Sequence, residues 1–316
     1  MHNQINTTLS ENLRPFIEYF DKHGIYWTET ADKHNIPIDG VMDSLWLPSD
    51  QVMNFLLEMN RMTQKNLGYE VGKSLSLVDI SPALDREISE CGDIEACMHK
   101  LIDIMPQLNS HVVVWTEKID GLWFLCHRSA YSSKSVGYDQ SEWFRTFALV
   151  SLCRQFINEA WVPKRVFMSF PAHLADNNAV DNNIYSFNHP NGAIQVPLSS
   201  NFTPVRDDGR DLDWITRIRR LSATYAVLPC FTVQWFGHLI GLSTRTLHRR
   251  LELNGTSFKA LRDEVRNQHA KRLLVVERLM PQDVAWRCGY NDLSNFNRAF
   301  KSWNDCTPSQ FRKRKL

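Results

Sequence analysis

The 316-residue chain lacks the marks of several protein classes. No apolar run approaches the ~20 residues that a membrane-spanning helix needs, and the polar N-terminus has no signal-type apolar segment. The seven cysteines (Cys91, Cys97, Cys126, Cys153, Cys230, Cys288 and Cys306) are odd in number, scattered and without a C-x-x-C pair. That pattern argues against a disulfide framework or a zinc ribbon. A cytoplasmic setting without a structural metal is expected. G-x-S-x-G, H-E-x-x-H and a glycine-rich phosphate loop are also missing, so neither a cofactor nor a conventional enzyme is expected. Even net charge is scarce, at +1.

That near-neutrality hides an uneven split. Residues 214–316 hold 19 Lys and Arg against 7 Asp and Glu, a formal +12, which leaves −11 for residues 1–213. A basic C-terminal third points to a nucleic-acid footprint there, the plain alternative being a solvated basic surface. The 43% hydrophobic fraction is ample for packed cores, and the length suits two domains.

Within the basic third, two helix-turn-helix units are predicted. Thr232 is placed to cap a helix carrying Val233, Phe236, Gly237 and Ile240 on one face. Gly241-Leu242 breaks it, and Ser243 caps a second helix from Thr244 to about Leu253. Leu247 and Leu251 face inward, while Arg245, His248, Arg249 and Arg250 are assigned to the outward face. Gly255-Thr256 and Ser257 lead into a helix reaching about Val275. At about 1.5 Å per residue it spans 25–30 Å, close to the ~34 Å between successive major grooves on one duplex face. The second unit starts at Pro281, turns at Gly289-Tyr290 and continues from Ser294 to Trp303. Phe296, Ala299, Phe300 and Trp303 are spaced for burial, with Ser294, Asn295, Asn297 and Arg298 facing the other way.

The run Leu242-Ser243-Thr244-Arg245-Thr246-Leu247-His248-Arg249-Arg250-Leu251 resembles the first recognition segment of AraC/XylS-type transcription regulators. Gly255-Thr256-Ser257-Phe258, Gly289-Tyr290, Phe296-Asn297-Arg298-Ala299-Phe300-Lys301-Ser302-Trp303 and Thr307-Pro308-Ser309-Gln310-Phe311-Arg312 follow in that family's order and spacing. Three positions depart from its pattern. Gly237 replaces a customary Ala, at an expected ~0.5–1 kcal/mol of helix propensity. Met280 replaces a capping Ser or Asp. Asp305 stands where Gly is usual, although Asp tolerates the left-handed region better than most residues. The resemblance implies a bacterial, cytoplasmic transcription regulator, such as an activator, that binds double-stranded operator DNA and acts on RNA polymerase. It implies base contacts from Arg245, His248 and Arg249, a DNA contact from Thr244, and contacts of either kind from Ser294, Asn295, Asn297 and Arg298. Lys301, Arg312 and Lys313 are read as phosphate contacts.

The first two hundred residues read as α+β. Helices are predicted over 9–22, 50–64 and 93–104, with a glycine-punctuated segment at 66–73. His111–Trp115 and Leu122–Cys126 are β-rich runs around Asp120-Gly121, a strong hairpin signal. A helix over 141–160 carries Trp143, Phe144, Phe147 and Phe156, a face read as core or as a two-fold contact. Short strands are predicted at 166–168 and 194–197, around a polar loop at 175–183. Trp46-Leu47-Pro48, Leu67-Gly68-Tyr69-Glu70-Val71-Gly72, Ser81-Pro82, Pro171 and Val196-Pro197-Leu198 are similar to the arabinose-binding-like N-terminal domain of regulators of the ornithine-utilisation type. This implies a sensor or dimerisation module without naming the ligand. The expected organisation is an effector-sensing and dimerisation domain at 1–205, a linker at 206–213, and an all-α DNA-binding domain at 214–316 whose two helix-turn-helix units are joined by a long helix.

Trp115, Trp123, His127, Trp143 and Arg145 are the candidate effector contacts, with His111 as a further anchor for an acidic ligand; aromatic residues at such spacings also serve as plain core. A small-molecule effector and a homodimer are the expected partners of this part. A ligand-independent regulator, its N-terminal domain an interaction scaffold, is the alternative. From another class, Leu125-Cys126-His127-Arg128 resembles part of the core of DNA alkyl-acceptor proteins, in which a His-activated Cys thiolate takes a methyl group. The preceding proline and the four-cysteine zinc module of those proteins are absent.

Overall fold

The computed structural model describes residues 5–38, 43–175, 181–206 and 212–315. Most of the expected linker (207–211) and the middle of the polar loop (176–180) lie outside the described residues. The chain divides into two compact units, Asn6–Leu212 and Asp213–Leu316, with Ile5 counting in the second. The first is α+β and the second all-α.

The first unit begins with a two-stranded antiparallel ribbon, β1 (Thr7–Leu9) on β2 (Trp46–Pro48). Eight helices follow in chain order: α1 (Arg14–Lys22), α2 (Thr28–Lys33), α3 (Ser49–Thr63), α4 (Leu67–Gly72), α5 (Leu77–Ile80), α6 (Pro82–Ser89), α7 (Ile94–Leu108) and α8 (Tyr138–Arg154). Their starts are set locally. Asn66, Ser81 and Asp93 each accept a first-turn backbone N–H, satisfying donors that the helix cannot. A five-stranded sheet is built from β3 (Val112–Ile119), β4 (Leu122–Ser129), β5 (Val166–Phe167), β6 (Tyr185–Ser186) and β7 (Gly192–Gln195), in the order β3-β4-β7-β5-β6. Its pairs are antiparallel except β5 with β6. At the predicted hairpin, Asp120 (φ +50°) and Gly121 (φ +79°) both take positive φ, as a two-residue turn that matches strand twist requires.

Several boundaries differ from the sequence reading. Residues 9–22 hold the end of β1 and a 3-10 turn (Ser10–Leu13) before α1. The glycine-punctuated segment is itself a helix, α4. Its two glycines form a seam against α8: a Cβ on Gly68 would lie 2.2 Å from the Gln140 carbonyl oxygen, and one on Gly72 would lie 2.4 Å from the Phe147 ring. Helix α7 continues past the expected end at Ile104 through Pro106 to Leu108, because Met105 and Leu108 pack into the interior beneath it. Helix α8 starts three residues early, after Gly137 (φ +77°), and ends at Arg154, so Phe156 lies beyond it. Its aromatic face is internal. Trp143 is fully buried against Tyr69, Phe147, Phe170 and Tyr185, and Arg154 donates to the Trp161 carbonyl at 2.9 Å. The Trp143 and Phe144 part of that face is core of its own unit.

The second unit contains α9 (Trp214–Tyr225), α10 (Val233–Leu239), α11 (Thr244–Leu253), α12 (Phe258–Val275), α13 (Pro281–Arg287), α14 (Leu293–Asn304) and α15 (Pro308–Lys315). The α12 helix runs the length expected of it. Ala270, Leu273 and Leu274 on α12 meet Val284, Ala285, Cys288, Phe296 and Phe300 in one buried cluster, with Trp303 and Phe311 at its edge. Each fully buried large apolar side chain contributes about 1.5–3 kcal/mol relative to exposure.

Candidate nucleic-acid interface

The first candidate surface is α11. Thr232 caps α10 by accepting from Trp235 N at 3.1 Å, Gly241 (φ +68°) turns the chain, and Ser243 caps α11 by accepting from Thr246 N at 3.2 Å. Leu247 and Leu251 are fully buried, which fixes the rotation of α11 about its axis. Arg245, His248 and Arg249 therefore face solvent, and Thr244 is half-buried at the first turn. None of these three basic side chains has a hydrogen-bond or ion-pair partner among the described residues. Unengaged donors on one face of a helix can meet guanine edges and phosphates.

Two details of this unit correct the sequence reading. Arg250 does not belong to the outward face: its guanidinium lies 5.7 Å from the Trp214 ring centroid, bracing α11 on α9. A step of one residue turns a helical side chain by roughly 100°, enough to carry Arg250 off the Arg249 face. Gly237 is more than a lapse of helix propensity. A Cβ there would meet the Leu242 carbonyl oxygen at 2.7 Å, so its lack of a side chain lets α10 close on the turn before α11.

The second surface is α14. Met280 supplies no side-chain cap to α13, which starts on Pro281. Helix α14 starts at Leu293, one residue before the expected Ser294, and Asp292 caps it, accepting from Asn295 N at 2.7 Å. Its second oxygen accepts from the Asn295 side-chain amide, and Asn295 Oδ1 accepts from Arg298 Nη2 at 2.5 Å. Ser294, Asn295, Arg298 and Lys301 are exposed and Asn297 is half-buried, yet Asn295 and Arg298 are already tied into this chain of bonds. Lys301 has no side-chain partner among the described residues. Asp305 takes the left-handed conformation (φ +55°) that closes α14. Arg312 is half-buried with Nη1 2.9 Å from Met280 Sδ, so it is placed to hold α15 on the start of α13, whereas Lys313 is exposed.

What joins the two surfaces is Arg266, a residue that no motif singled out. It lies on α12 and is buried. Its Nε donates to the Ala226 carbonyl at 2.7 Å, Nη2 donates to the Leu228 carbonyl at 3.2 Å, and the guanidinium sits 4.9 Å from the Tyr290 ring centroid. Burial lowers its pKa from the ordinary arginine value. Gly289 (φ +74°) completes the joint: a Cβ there would lie 2.5 Å from the Val227 carbonyl oxygen. The loop after α9 and the turn after α13 thus share one guanidinium, which fixes α11 and α14 in one body. The available signal was register: Arg266 stands four residues before Ala270 and five after Leu261, on the buried stripe of α12.

Comparison with known proteins agrees with this construction. Residues 238–314 match a family described as helix-turn-helix domain. A helix-turn-helix-type transcriptional regulator of Mycobacterium tuberculosis is 43% identical over 75 residues, 24% of this chain and 22% of its own. The ornithine utilization regulator of Pseudomonas aeruginosa is 38% identical over 99 residues, 31% of this chain and 29% of its own. Residues 238–314 are thus a helix-turn-helix domain, similar to those of these regulators. The matches span under a third of the length of either curated relative. The solved structure of the transcriptional regulator CdpR from Pseudomonas aeruginosa aligns over 96% of this chain and 98% of its own, at a TM-score of 0.43 and 18% identity.

Outside the helix-turn-helix domain, the residues named for an effector scatter. Trp143 is in the aromatic cluster on α8, and Trp123 donates to the Ser199 carbonyl at 2.8 Å. Trp115 is half-buried on β3 beneath the Arg128 guanidinium. His127 is fully buried; its Nδ1 accepts from Arg145 Nε at 2.9 Å, and its Nε2 lies 3.2 Å from Thr146 Oγ1. A cavity of about 130 Å³ lies between the helices and β3 of this unit. Arg145 and His111 line it, whereas Trp115, Trp123, His127 and Trp143 do not. Cys126 is unsuited to alkyl transfer. It is fully buried on the sheet face with Phe124 and Ala193, and burial pushes its thiol up to about 12. Among the described residues, no helix is long and apolar enough to cross a membrane.

Proposed function

We propose that the protein is a sequence-specific transcription regulator that recognises double-stranded operator DNA through residues 214–316. In this reading Arg245, His248 and Arg249 read base edges from α11, with Thr244 at the helix start. Ser294, Asn295, Asn297, Arg298 and Lys301 hold the adjoining stretch from α14, mainly by its phosphates. Residues 206–213 are the linker. Residues 1–205 sense a small molecule and mediate homodimerisation, and RNA polymerase is the partner through which transcription is activated.

One observation carries the reading: two solvent-facing recognition helices, one bearing three unengaged basic side chains, are held in one body by Arg266. A pair fixed in this way suits successive major grooves on one duplex face. The test is selection of DNA sites from a random pool with the full-length chain, followed by footprinting. A recovered motif about two half-sites long is expected. Binding without sequence enrichment, falling with salt alone, would leave a non-specific polyanion binder. Sedimentation with and without the recovered site tests the dimer, which a purely monomeric chain would remove.

A further inference from the structure

We propose that the cavity of the N-terminal unit is a binding site for a small monocarboxylate, a compact apolar body whose single carboxylate sits on Arg145. The assignment deepens the effector reading above and rests on it for any consequence at the DNA.

Size comes first. At about 130 Å³ the cavity approaches the ~150 Å³ apolar cavity that admits a benzene ring. A body of about six to eight heavy atoms is therefore the scale of the ligand. Phe16, Met53, Leu101, Phe144 and Leu149 are among its mostly apolar walls, so the bulk of that ligand must be hydrocarbon.

Charge supplies the rest. Arg145 lines the cavity, and no Asp or Glu side chain does. Its bonds go to neutral groups: Nε to His127 Nδ1 at 2.9 Å and Nη2 to the Tyr138 hydroxyl at 3.5 Å. A ring nitrogen that accepts from a guanidinium carries no proton, and burial holds His127 well below the ordinary imidazole pKa. Nη1 has no partner among the described residues. Glu142 feels the guanidinium electrostatically, but its two oxygens accept from Ser169 N at 3.0 Å and Ser169 Oγ at 2.8 Å. Arg145 thus lines an apolar chamber with a free donor on its guanidinium and no ion-paired carboxylate. One incoming carboxylate would satisfy both needs, and charge-assisted bonds of this kind are the strong ones. A ligand amine would meet a like charge. A dianion would bring a second charge to a wall whose other ionisable group, His111, already faces Ser49 Oγ at 3.3 Å.

Hexanoate, 1-hexanol and hexylamine share one tail and differ in charge, so they are the probes, read by calorimetry and by thermal shift on the full-length chain without DNA. Hexanoate should bind at least tenfold more tightly than 1-hexanol, and hexylamine should not bind. Arg145→Gln should bring the hexanoate-to-hexanol ratio near one. Because that variant also loses the His127 contact, Ala148→Phe, which fills the cavity from another wall residue, serves as the independent check and should abolish binding of both. Equal affinities for hexanoate and 1-hexanol in the unmodified chain would overturn the assignment, as would absence of binding by every probe or hexanoate binding that survives Ala148→Phe. Since binding is read without DNA, a ligand that binds yet leaves operator affinity unchanged would defeat the effector reading and leave this site standing.

Discussion

The two helix-turn-helix units of the C-terminal domain use one backbone device and leave their side chains in different states. Each has a short helix, a turn with positive-φ glycine and a second helix with a capped start. On α11 the cap is Ser243, whose hydroxyl is used by Thr246, and Arg245, His248 and Arg249 stay unengaged. On α14 the cap is Asp292, a carboxylate with a second oxygen to spare; it binds Asn295, which in turn binds Arg298. The choice of cap therefore decides how many donors remain for DNA. Serine satisfies the helix end and stops there, while aspartate starts a chain that occupies the next exposed face.

The largest test of this comparison removes what ties the two units together. Arg266→Ala leaves the Ala226 and Leu228 carbonyls without their donor and should destabilise the domain by about 3 kcal/mol, read by urea unfolding. Affinity for a two-half-site operator should fall far more than affinity for one half-site. A loss below about 1 kcal/mol would mean that apolar packing on α12 alone holds the units together.

A smaller effect separates the two surfaces. Arg249→Ala should weaken operator binding by about 1–3 kcal/mol and relax discrimination at one or two base pairs. Arg298→Ala should lose less, and mainly as a flatter dependence of affinity on salt. Equal relaxation of sequence preference in both variants would erase the distinction drawn between α11 and α14.

Breaking the α14 chain at its head sharpens the same point. Asp292→Ala should lower stability by about 1 kcal/mol through the lost cap. It should also release Asn295 and Arg298, so the salt dependence of DNA binding should steepen while the folded domain persists. Unchanged salt dependence would show that Asn295 and Arg298 are free in solution despite the bonds seen here.

The smallest expected effect is also a matter of sign. By helix propensity, Gly237→Ala should stabilise α10 by about 0.5–1 kcal/mol. The 2.7 Å approach to the Leu242 carbonyl argues for net destabilisation instead, read as a lower melting temperature. A stabilised variant would show that the α10–α11 turn gives way at little cost.

How much could be read beforehand follows the range of the signal. The hairpin at Asp120-Gly121 and the caps at Thr232, Ser243 and Ser257 were legible, because each depends on residues within a turn or two. Burial of Leu247 and Leu251 followed from helical spacing, and with it the exposure of Arg245, His248 and Arg249. The α4 segment was harder. Its glycines read as breaks, yet they are contact points, since the Gln140 carbonyl and the Phe147 ring come from a helix some seventy residues away.

By itself, then, the amino-acid order determined the helix order of the two helix-turn-helix units, the α+β and all-α division, the charge split and, Arg250 apart, the solvent-facing side of α11. All of these follow from short-range periodicity, capping and composition. Only the tertiary structure decided which exposed-looking residues are committed elsewhere. Arg250 lies on Trp214, Arg312 on Met280, Asn295 on Asp292, and Arg266 joins a loop some forty residues upstream to the Tyr290 turn downstream. It likewise decided that Arg145, alone of the five residues named for an effector, reaches the cavity. The physical reason is one of partners. Hydrogen bonds, ion pairs and cavities need groups brought together in space, and a long cationic side chain fits solvent, phosphate, an aromatic face or a buried carbonyl equally well until the fold supplies one of them.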